Sequence, residues 1–139
     1  MGIIIDIQKE IIDEFEMFDD WMQKYEYLID LGKDLPKIKE KYKTENNVIK
    51  GCQSKVWLYA EGKEDKIIYT ADSNAIITKG IIALLIRVLS NQKSEDIAHA
   101  KLDFINKIGL KEQLSPTRAN GLLSMIKQMK LYAIAFSKK

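Results

Sequence analysis

The chain has 139 residues, of which 46% are hydrophobic and 30% are charged, a composition typical of one globular domain. Its 22 basic and 20 acidic side chains leave a formal charge of +2, which is too balanced to indicate nucleic acid or an anionic membrane as the main partner. One cysteine, Cys52, and one histidine, His99, exclude an internal disulfide and the usual single-chain zinc and iron–sulfur sites.

The first ten residues lack the basic start and the long apolar run of a signal peptide. The most apolar stretch, residues 75–89, is too short and carries too many charges to span a bilayer. A lone thiol fits a reducing compartment, so we expect a cytoplasmic protein without a membrane segment. No repeat or linker divides the sequence, so we expect residues 1–139 to form a single domain.

Two amphipathic helices are predicted at the start of the chain. Asp6 is expected to cap the first helix, and Asp19 or Asp20 begins the second, for which Gly32 is the expected C-terminal stop. The apolar residues of the first helix repeat at helical spacing: Ile7, Ile11, Phe15 and Phe18. The polar segment that follows, residues 37–47, is expected to form a loop or a helical turn.

A β-hairpin and a buried helix are predicted next. Residues 55–60 alternate as a strand, residues 61–65 form a glycine-containing loop, and residues 67–70 return. Residues 75–89 are apolar nearly all round, which predicts the central buried helix. Gly80 inside this helix is expected to mark a close contact between helix and sheet.

The remaining chain is predicted to be helical. A short helix starts at Ser94, another ends near Gly109, and a last one has Ser115 as its N-cap and Pro116 at its first position. An apolar stripe runs along the last helix: Ala119, Leu122, Ile126, Met129, Ala133 and Phe136. This order of elements predicts an α+β domain, with a small antiparallel sheet packed against several helices on one side.

Cys52 lies at the turn that leads into the first predicted strand. A free cysteine is commonly a small buried hydrophobe, but turns at element ends are where reactive groups are presented. Nucleophilic hydrolysis would need a histidine base, and His99 is expected on the surface of a polar helix. Sulfur exchange needs no proton relay, because a thiolate attacks a sulfur atom directly. Packing and sulfur chemistry therefore remain open for this thiol.

Arg118 is the third residue of the predicted last helix. A cation there faces the positive end of the helix dipole, and a capping box would place Glu or Gln at this position. Such a departure from a local rule can mark a functional residue or simply a solvated arginine. Both interpretations remain open from the residue pattern alone.

Three motifs in order resemble the SufE-type sulfur acceptors of iron–sulfur cluster assembly. They are "GCQSKVWL" at 51–58, "DSNAIITKGIIALL" at 72–85 and "LSPTRANGL" at 114–122, with a looser match in "WMQKYEYLIDLGKDLP" at 21–36. The resemblance implies the α+β fold shared by SufE proteins and NifU-like scaffolds. It also implies that Cys52 takes persulfide sulfur from a PLP-dependent, SufS-type cysteine desulfurase and stimulates that enzyme. The sulfur then passes to a SufBCD-like cluster scaffold.

The resemblance makes the chain a carrier and activator, with no cofactor or metal of its own, rather than a stand-alone enzyme. Arg118 matches the arginine of the family's Ser-Pro-x-Arg motif, and Asp72 matches the first acid of its Asp-Ser-Asp motif. Asn74 stands where the family's motif usually has Asp at its third position. The asparagine keeps the hydrogen-bonding ability of that position but loses its negative charge. Asp72 and Ser73 are expected to cap the helix that follows.

Other residues around the cysteine are expected to have supporting roles. Gly51 precedes it, and Gln53 and Ser54 are expected to order the Cys segment through hydrogen bonds to backbone. Trp57 is expected in the core. Two alternatives remain: a non-catalytic regulator of a desulfurase or scaffold with a structural Cys52, and a one-cysteine thiol peroxidase, for which no peroxidase motif is evident.

Overall fold

A computed structural model describes residues 2–51 and 54–137, without the side chain of Lys111. Ten helices and strands follow one another in these residues: α1 (Gly2–Glu16), α2 (Trp21–Lys33), β1 (Val56–Lys63), β2 (Lys66–Ser73), α3 (Ile76–Leu89), β3 (Gln92–Lys93), α4 (Ser94–His99), α5 (Phe104–Lys107), α6 (Leu110–Gln113) and α7 (Pro116–Ser137). The strands form an antiparallel sheet in the order β1-β2-β3. The predicted α+β class is therefore confirmed.

The first two helices are present, with different ends from those predicted. α1 begins at Gly2, so Asp6 lies inside the helix and is not its cap. The start of α2 is confirmed, because the Asp20 carboxylate accepts a 2.9 Å hydrogen bond from the Gln23 amide. Gly32 does not stop α2, which continues to Lys33.

Gly80 marks a close contact between two helices rather than between a helix and the sheet. A Cβ atom added at Gly80 would lie 2.2 Å from the carbonyl oxygen of Leu28 in α2. One added at Gly32 would lie 2.9 Å from the Gly80 amide nitrogen. The two glycines therefore let the backbones of α2 and α3 approach each other. Gly80 was predicted to contact the sheet and Gly32 to end α2, and both predictions are corrected.

The hairpin is tighter than predicted. β1 continues to Lys63 and β2 starts at Lys66, so only Glu64 and Asp65 form the turn. Gly62 lies within β1 opposite Ile67, and a Cβ atom at this position would come within 3.2 Å of the Phe136 ring. The glycine thus makes room for a side chain of α7 instead of forming the loop.

The C-terminal helices follow the prediction in part. The Ser115 hydroxyl accepts a 3.3 Å hydrogen bond from the Arg118 amide, which confirms the cap of α7. The helix expected to end near Gly109 is the short α5, and Gly109 (φ 76°) introduces α6, which was not predicted. The two-residue strand β3 was also not predicted. The apolar stripe of α7 faces the core.

The core is one cluster that draws on every long element. α3 lies at its centre, between α2 and the inner face of the sheet. Tyr69 of β2 is fully buried, and its hydroxyl donates a 2.6 Å hydrogen bond to the Met129 carbonyl of α7. Burial raises the pKa of Tyr69, so this hydroxyl remains a donor at neutral pH.

The outer face of the sheet is crossed by residues 39–47, here called the crossing segment. Before it, the Ile38 amide donates a 3.1 Å hydrogen bond to the Ala71 carbonyl of β2; after it, the Ile49 amide donates a 2.8 Å bond to the Val56 carbonyl of β1. The segment contains two short 3₁₀ turns, as the predicted loop or helical turn allowed. The chain therefore passes from the side of β2 that faces away from β1 to the free edge of β1, across the outer face of the sheet.

Aromatic rings hold the crossing segment on the sheet. Tyr42 stacks on Tyr59 of β1 with ring centroids 3.8 Å apart, and the ammonium group of Lys43 lies 4.6 Å from the centroid of the Trp57 ring. Trp57 is half-buried on this outer face. Its predicted place in the core is therefore wrong, because the inward positions of β1 belong to Val56 and Leu58.

Candidate functional site

Residues 50–55, here called the Cys52 segment, connect Ile49 to Val56 at the start of β1. The hydrogen bond from Ile49 to Val56 joins their two ends, and Val48 pairs with Trp57 beside it. Ile49 and Val56 are both buried, so the base of the segment is part of the core. Cys52 and Gln53, the predicted acceptor and its neighbour, lie outside the described residues.

Gly51 anchors the segment on α7. Its φ of 90° is a backbone conformation that residues with a side chain rarely adopt. A Cβ atom added at this position would lie 2.6 Å from the Ser124 hydroxyl oxygen. A larger residue would therefore be strained and would also collide with α7. The glycine immediately before Cys52 is required by both the backbone and the packing.

Ser73 and Asn74 hold the other end of the segment at Lys55. The Lys55 amide donates a 3.2 Å hydrogen bond to the Asn74 side-chain oxygen, and the Asn74 amide donates a 3.3 Å bond back to the Lys55 carbonyl. The Ser73 hydroxyl donates a 2.8 Å bond to that same carbonyl. An amide oxygen suffices as acceptor here, so Asn74 fills this position without a negative charge.

Asp72 and Ser73 do not cap α3 as predicted. The N-cap of α3 is Ala75, which makes no side-chain capping bond. The Ser73 hydroxyl accepts a 3.2 Å bond from the Ala75 amide, one residue before the helix begins. Because the strand continues through Ser73, the Ser73 hydroxyl turns to the Lys55 carbonyl, and the Asp72 carboxylate turns to lysine side chains rather than to the amides of the first helical turn.

Asp72 is instead a buried carboxylate between two lysines. Only 5% of the residue is exposed, and its oxygens lie 2.9 Å from the Lys43 ammonium and 3.5 Å from that of Lys79. Burial alone would raise the pKa of Asp72. The hydrogen bonds from Lys43 and the Ser73 amide, with the two lysine charges, outweigh burial and lower it. Asp72 thus ties the crossing segment and α3 to the end of β2.

Arg118 lies beside the described end of the Cys52 segment. With Ser54 and Thr78 it lines a small cavity of about 20 Å³ between α3 and the first turns of α7. Its exposed guanidinium donates a 2.6 Å hydrogen bond to the Tyr25 hydroxyl of α2. A helix that is remote in sequence therefore holds the Arg118 guanidinium, and the residue shares a cavity with Ser54.

The matching family model is "SufE: Fe-S metabolism associated domain", which covers residues 9–133. The chain belongs to the SufE family. This membership gives it a role in iron–sulfur metabolism.

SufE relatives match most of the chain. An uncharacterized SufE-like protein of Rhizobium meliloti is 41% identical over 126 residues, which cover 87% of this chain and 90% of the relative. One from Synechocystis is 37% identical over 91% of this chain and 80% of the relative. SufE-like protein 1, chloroplastic/mitochondrial, of Arabidopsis thaliana is 39% identical over 91% of this chain, but only 34% of that longer protein is matched.

The SufE fold assignment agrees with a solved structure. The solution structure of a hypothetical protein from Thermus thermophilus superposes with a TM-score of 0.79, covering 96% of this chain and 97% of the other. The sequence identity is 17%, so this likeness concerns the fold alone.

The structure places several of the predicted SufE site residues together. Gly51, Ser54 and Arg118 all lie against the N-terminal half of α7 or its neighbouring cavity. Asn74 joins them through Lys55. His99 is exposed, as predicted, and lines a different groove beside α1.

Four contributors to the site were missed from the sequence: Tyr25, Lys43, Lys79 and Ser124. All but Lys79, which pairs with Asp72 seven positions earlier, act through a residue distant in the chain, such as the Tyr25–Arg118 bond across 93 positions. No local pattern announces such pairs. Lys43 belongs to the alternating lysines of the crossing segment, which could have drawn attention to it.

Within residues 2–51 and 54–137, no three His, Cys, Asp or Glu side chains come together in a way that could hold a metal ion. In the same part of the chain, no helix has the length and apolar character needed to cross a membrane.

Proposed function

We propose that Cys52 is a sulfur acceptor that takes a persulfide sulfur from a PLP-dependent, SufS-type cysteine desulfurase. The observation that carries this proposal is the lone cysteine within the SufE motif at residues 51–58. Its flanks are held by Gly51 on α7 and by Asn74 at Lys55. A fixed base with a thiol between two anchors suits a group that is presented to a partner.

The transfer step needs only the two cysteines and the sulfur between them. The Cys52 thiolate attacks the outer sulfur of the desulfurase persulfide, and a new S–S bond forms. The S–S bond within the desulfurase persulfide breaks, and the desulfurase cysteine leaves as a thiolate. No oxidant or reductant is consumed, so a protein with one thiol can perform this step.

Arg118 supports the anionic states of Cys52 in this proposal. A guanidinium near a thiol favours the thiolate before attack and the persulfide anion afterwards. The hydrogen bond to Tyr25 holds this exposed guanidinium in one orientation, and Arg118 lines a cavity together with Ser54. By removing sulfur from the desulfurase, the chain stimulates turnover, and it then passes the sulfur to a SufBCD-like scaffold.

Intact-mass measurement tests the proposal directly. The protein is mixed with a SufS-type desulfurase and cysteine in the absence of reductant. We expect the mass to rise by one sulfur atom, to return to its starting value with a thiol reductant, and to stay unchanged in Cys52→Ser. Because the chain has one cysteine, any persulfide gained must lie on Cys52.

The alternative of a non-catalytic regulator predicts a different result. In that case the Cys52→Ser protein would still bind and stimulate the desulfurase as the wild type does, and neither would gain sulfur. An active desulfurase that leaves the wild-type mass unchanged would therefore reject the acceptor role.

A further inference from the structure

The crossing segment and its flanks form a strongly basic stretch in an otherwise balanced chain. Residues 37–50 contain five lysines and two glutamates, an excess of three positive charges. The whole chain carries +2, so the rest of the protein is slightly acidic. The positive charge is thus concentrated beside the Cys52 segment.

The lysines of this stretch differ in their acidic neighbours. Lys43 is turned inward to Asp72, and Glu45 of the stretch lies 3.4 Å from Lys55, which follows the stretch in the chain. Among the described residues, no carboxylate lies within 4.0 Å of the ammonium groups of Lys37, Lys39 or Lys41, all three of which are exposed. Mutual repulsion within such a group opposes folding slightly, and an acidic partner would relieve it.

The lysines are carried on a fixed frame. Lys37 lies where the chain pairs with Ala71 of β2, and the ammonium group of Lys41 lies 5.0 Å from the centroid of the Tyr42 ring, which itself stacks on Tyr59. Charges presented by an anchored backbone lose less conformational freedom on binding than charges on a free loop. The frame is therefore suited to recognition by complementary charge.

This charged surface is continuous with the Cys52 segment. Exposed Lys50 precedes Gly51, and exposed Lys55 follows Ser54 where the segment rejoins β1. Any protein that reaches Cys52 from this side must also meet these lysines. Lys37, Lys39, Lys41, Lys50 and Lys55 are here called the lysine face.

We propose that the lysine face docks on an acidic surface of the protein that donates sulfur to Cys52. The inference rests on the proposed function, for which it names the charge of the partner surface and the side from which the partner approaches. Complementary charge speeds encounter and fixes orientation, and its effect falls as salt screens it. The affinity for the donor should therefore fall as salt is added, and this dependence on salt should weaken when these lysines are removed.

The test compares two triple charge reversals that change the net charge equally. One carries Lys37→Glu, Lys39→Glu and Lys41→Glu; the control carries Lys9→Glu, Lys101→Glu and Lys107→Glu, at exposed positions around the groove beside α1. Both are made in a Cys52→Ser background, so that binding is read without any sulfur transfer. Thermal unfolding checks that both variants are folded.

At low ionic strength, the lysine-face variant should bind a SufS-type desulfurase about tenfold more weakly, while the control keeps near its parent affinity. At high ionic strength the two variants should converge. Equal weakening of both variants, or no weakening, would overturn the docking assignment. So would loss of binding to the scaffold alone, or tighter binding of duplex DNA than of the desulfurase at the same salt.

The two proposals fail separately. If the lysine face governs binding but wild-type protein gains no sulfur, the acceptor role is wrong and the docking surface stands. If wild-type protein gains sulfur but the lysine-face variant binds like the control, the acceptor role stands and the docking surface is wrong.

Discussion

Asp72 is a single carboxylate that joins three parts of the chain. It is nearly fully buried, and its two lysine partners come from the crossing segment and from α3. The sequence motif drew attention to Asp72 through the family resemblance, and capping was the expected role. The structure gives it a different one, because the side chain of a strand's last residues points to the sheet faces, not along the next helix.

We predict that Asp72→Asn lowers the free energy of unfolding by about 2 kcal/mol at neutral pH, because two lysines lose a buried counter-charge. The folded-state pKa of Asp72 lies below its ordinary value, so its contribution is present above the ordinary Asp pKa. The contribution is lost as pH falls through the folded pKa. Urea unfolding of both proteins between neutral and strongly acidic pH measures the difference.

Asp30→Asn is the matched control for this measurement. Asp30 pairs with Lys33 at 3.5 Å, but both side chains are about 70% exposed. We expect a change below about 0.5 kcal/mol. A loss at Asp72 that is equally small, or that does not diminish in acid, would contradict the buried ion-pair interpretation.

At Arg118, substitutions can separate the effect of the positive charge from the effect of the side chain's shape. We predict that Arg118→Ala slows sulfur loading of Cys52 roughly tenfold at neutral pH and moves its pH profile to higher pH, because less of the thiol is ionised. Arg118→Lys keeps the charge and should restore most of the rate. Loading rates from intact mass at several pH values provide the measurement.

A purely structural arginine would give another pattern. In that case Arg118→Ala and Tyr25→Phe would both lower thermal stability and leave the pH profile in place. The expected result is the reverse, with stability changed little because Arg118 is exposed.

Among the elements, sequence periodicity predicted the type of each long helix and strand but not its partners. α3 was predicted as a buried helix from its composition, and that is confirmed. Its glycine was expected to face the sheet, whereas it faces α2. Periodicity reports which face of an element is apolar, and any apolar surface satisfies it, so the identity of the neighbour is not encoded locally.

The α2–α3 crossing provides a prediction at this scale. Gly80→Ala should destabilise the protein by about 2–3 kcal/mol, although alanine is the better helix former by about 1 kcal/mol. The reason is that the added Cβ atom would lie 2.2 Å from the Leu28 carbonyl oxygen and 2.7 Å from its carbon, so the helices must move apart. Thermal or urea unfolding measures the change.

Gly109→Ala is the comparison for the crossing. Gly109 has a φ of 76° and no atom within 4 Å of an added Cβ, so only the backbone conformation is penalised. We expect a loss of about 1 kcal/mol. A Gly80→Ala protein as stable as the wild type would show that α2 and α3 can separate without cost.

At the scale of the whole molecule, one core connects all the long elements. Buried residues from Ile4 in α1 to Ala133 in α7 belong to a single cluster, which the predicted single domain requires. We predict one cooperative unfolding transition. The Trp21→Phe variant keeps only Trp57 in β1, and the Trp57→Phe variant keeps only Trp21 in α2, so each variant reports on the unfolding of a different part of the chain.

For each variant, the urea midpoint from tryptophan fluorescence should coincide with the midpoint from far-UV circular dichroism. Coincidence in both variants means that the sheet and the helices unfold together. Separate midpoints would divide the chain into units that unfold independently and would contradict the single-domain prediction.

Only those parts of the site that belong to short motifs of neighbouring residues could be predicted from the sequence. Gly51, Ser54 and Arg118 stand in motifs that can be read directly, and the structure places them around one cavity or one helix. Tyr25 and Lys43 reach their partners across 93 and 29 positions. Such pairs follow from the packing of the entire chain, which no window of sequence contains.

The hydrogen bond between Ile49 and Val56 also sets a range for the thiol. An extended chain covers at most about 3.6 Å per residue, and Cys52 is three residues from Ile49, so its Cα atom stays within about 11 Å of that anchor while the bond holds. The chain from Ile49 to Cys52 therefore acts as a short tether that limits how far the thiol can reach. A donor sulfur recessed deeper than this tether can extend would stay out of reach, however tightly the partner bound. Under the proposed acceptor role, the depth of the partner's sulfur below its surface, and not only the partner's affinity, therefore decides which proteins can donate sulfur to Cys52.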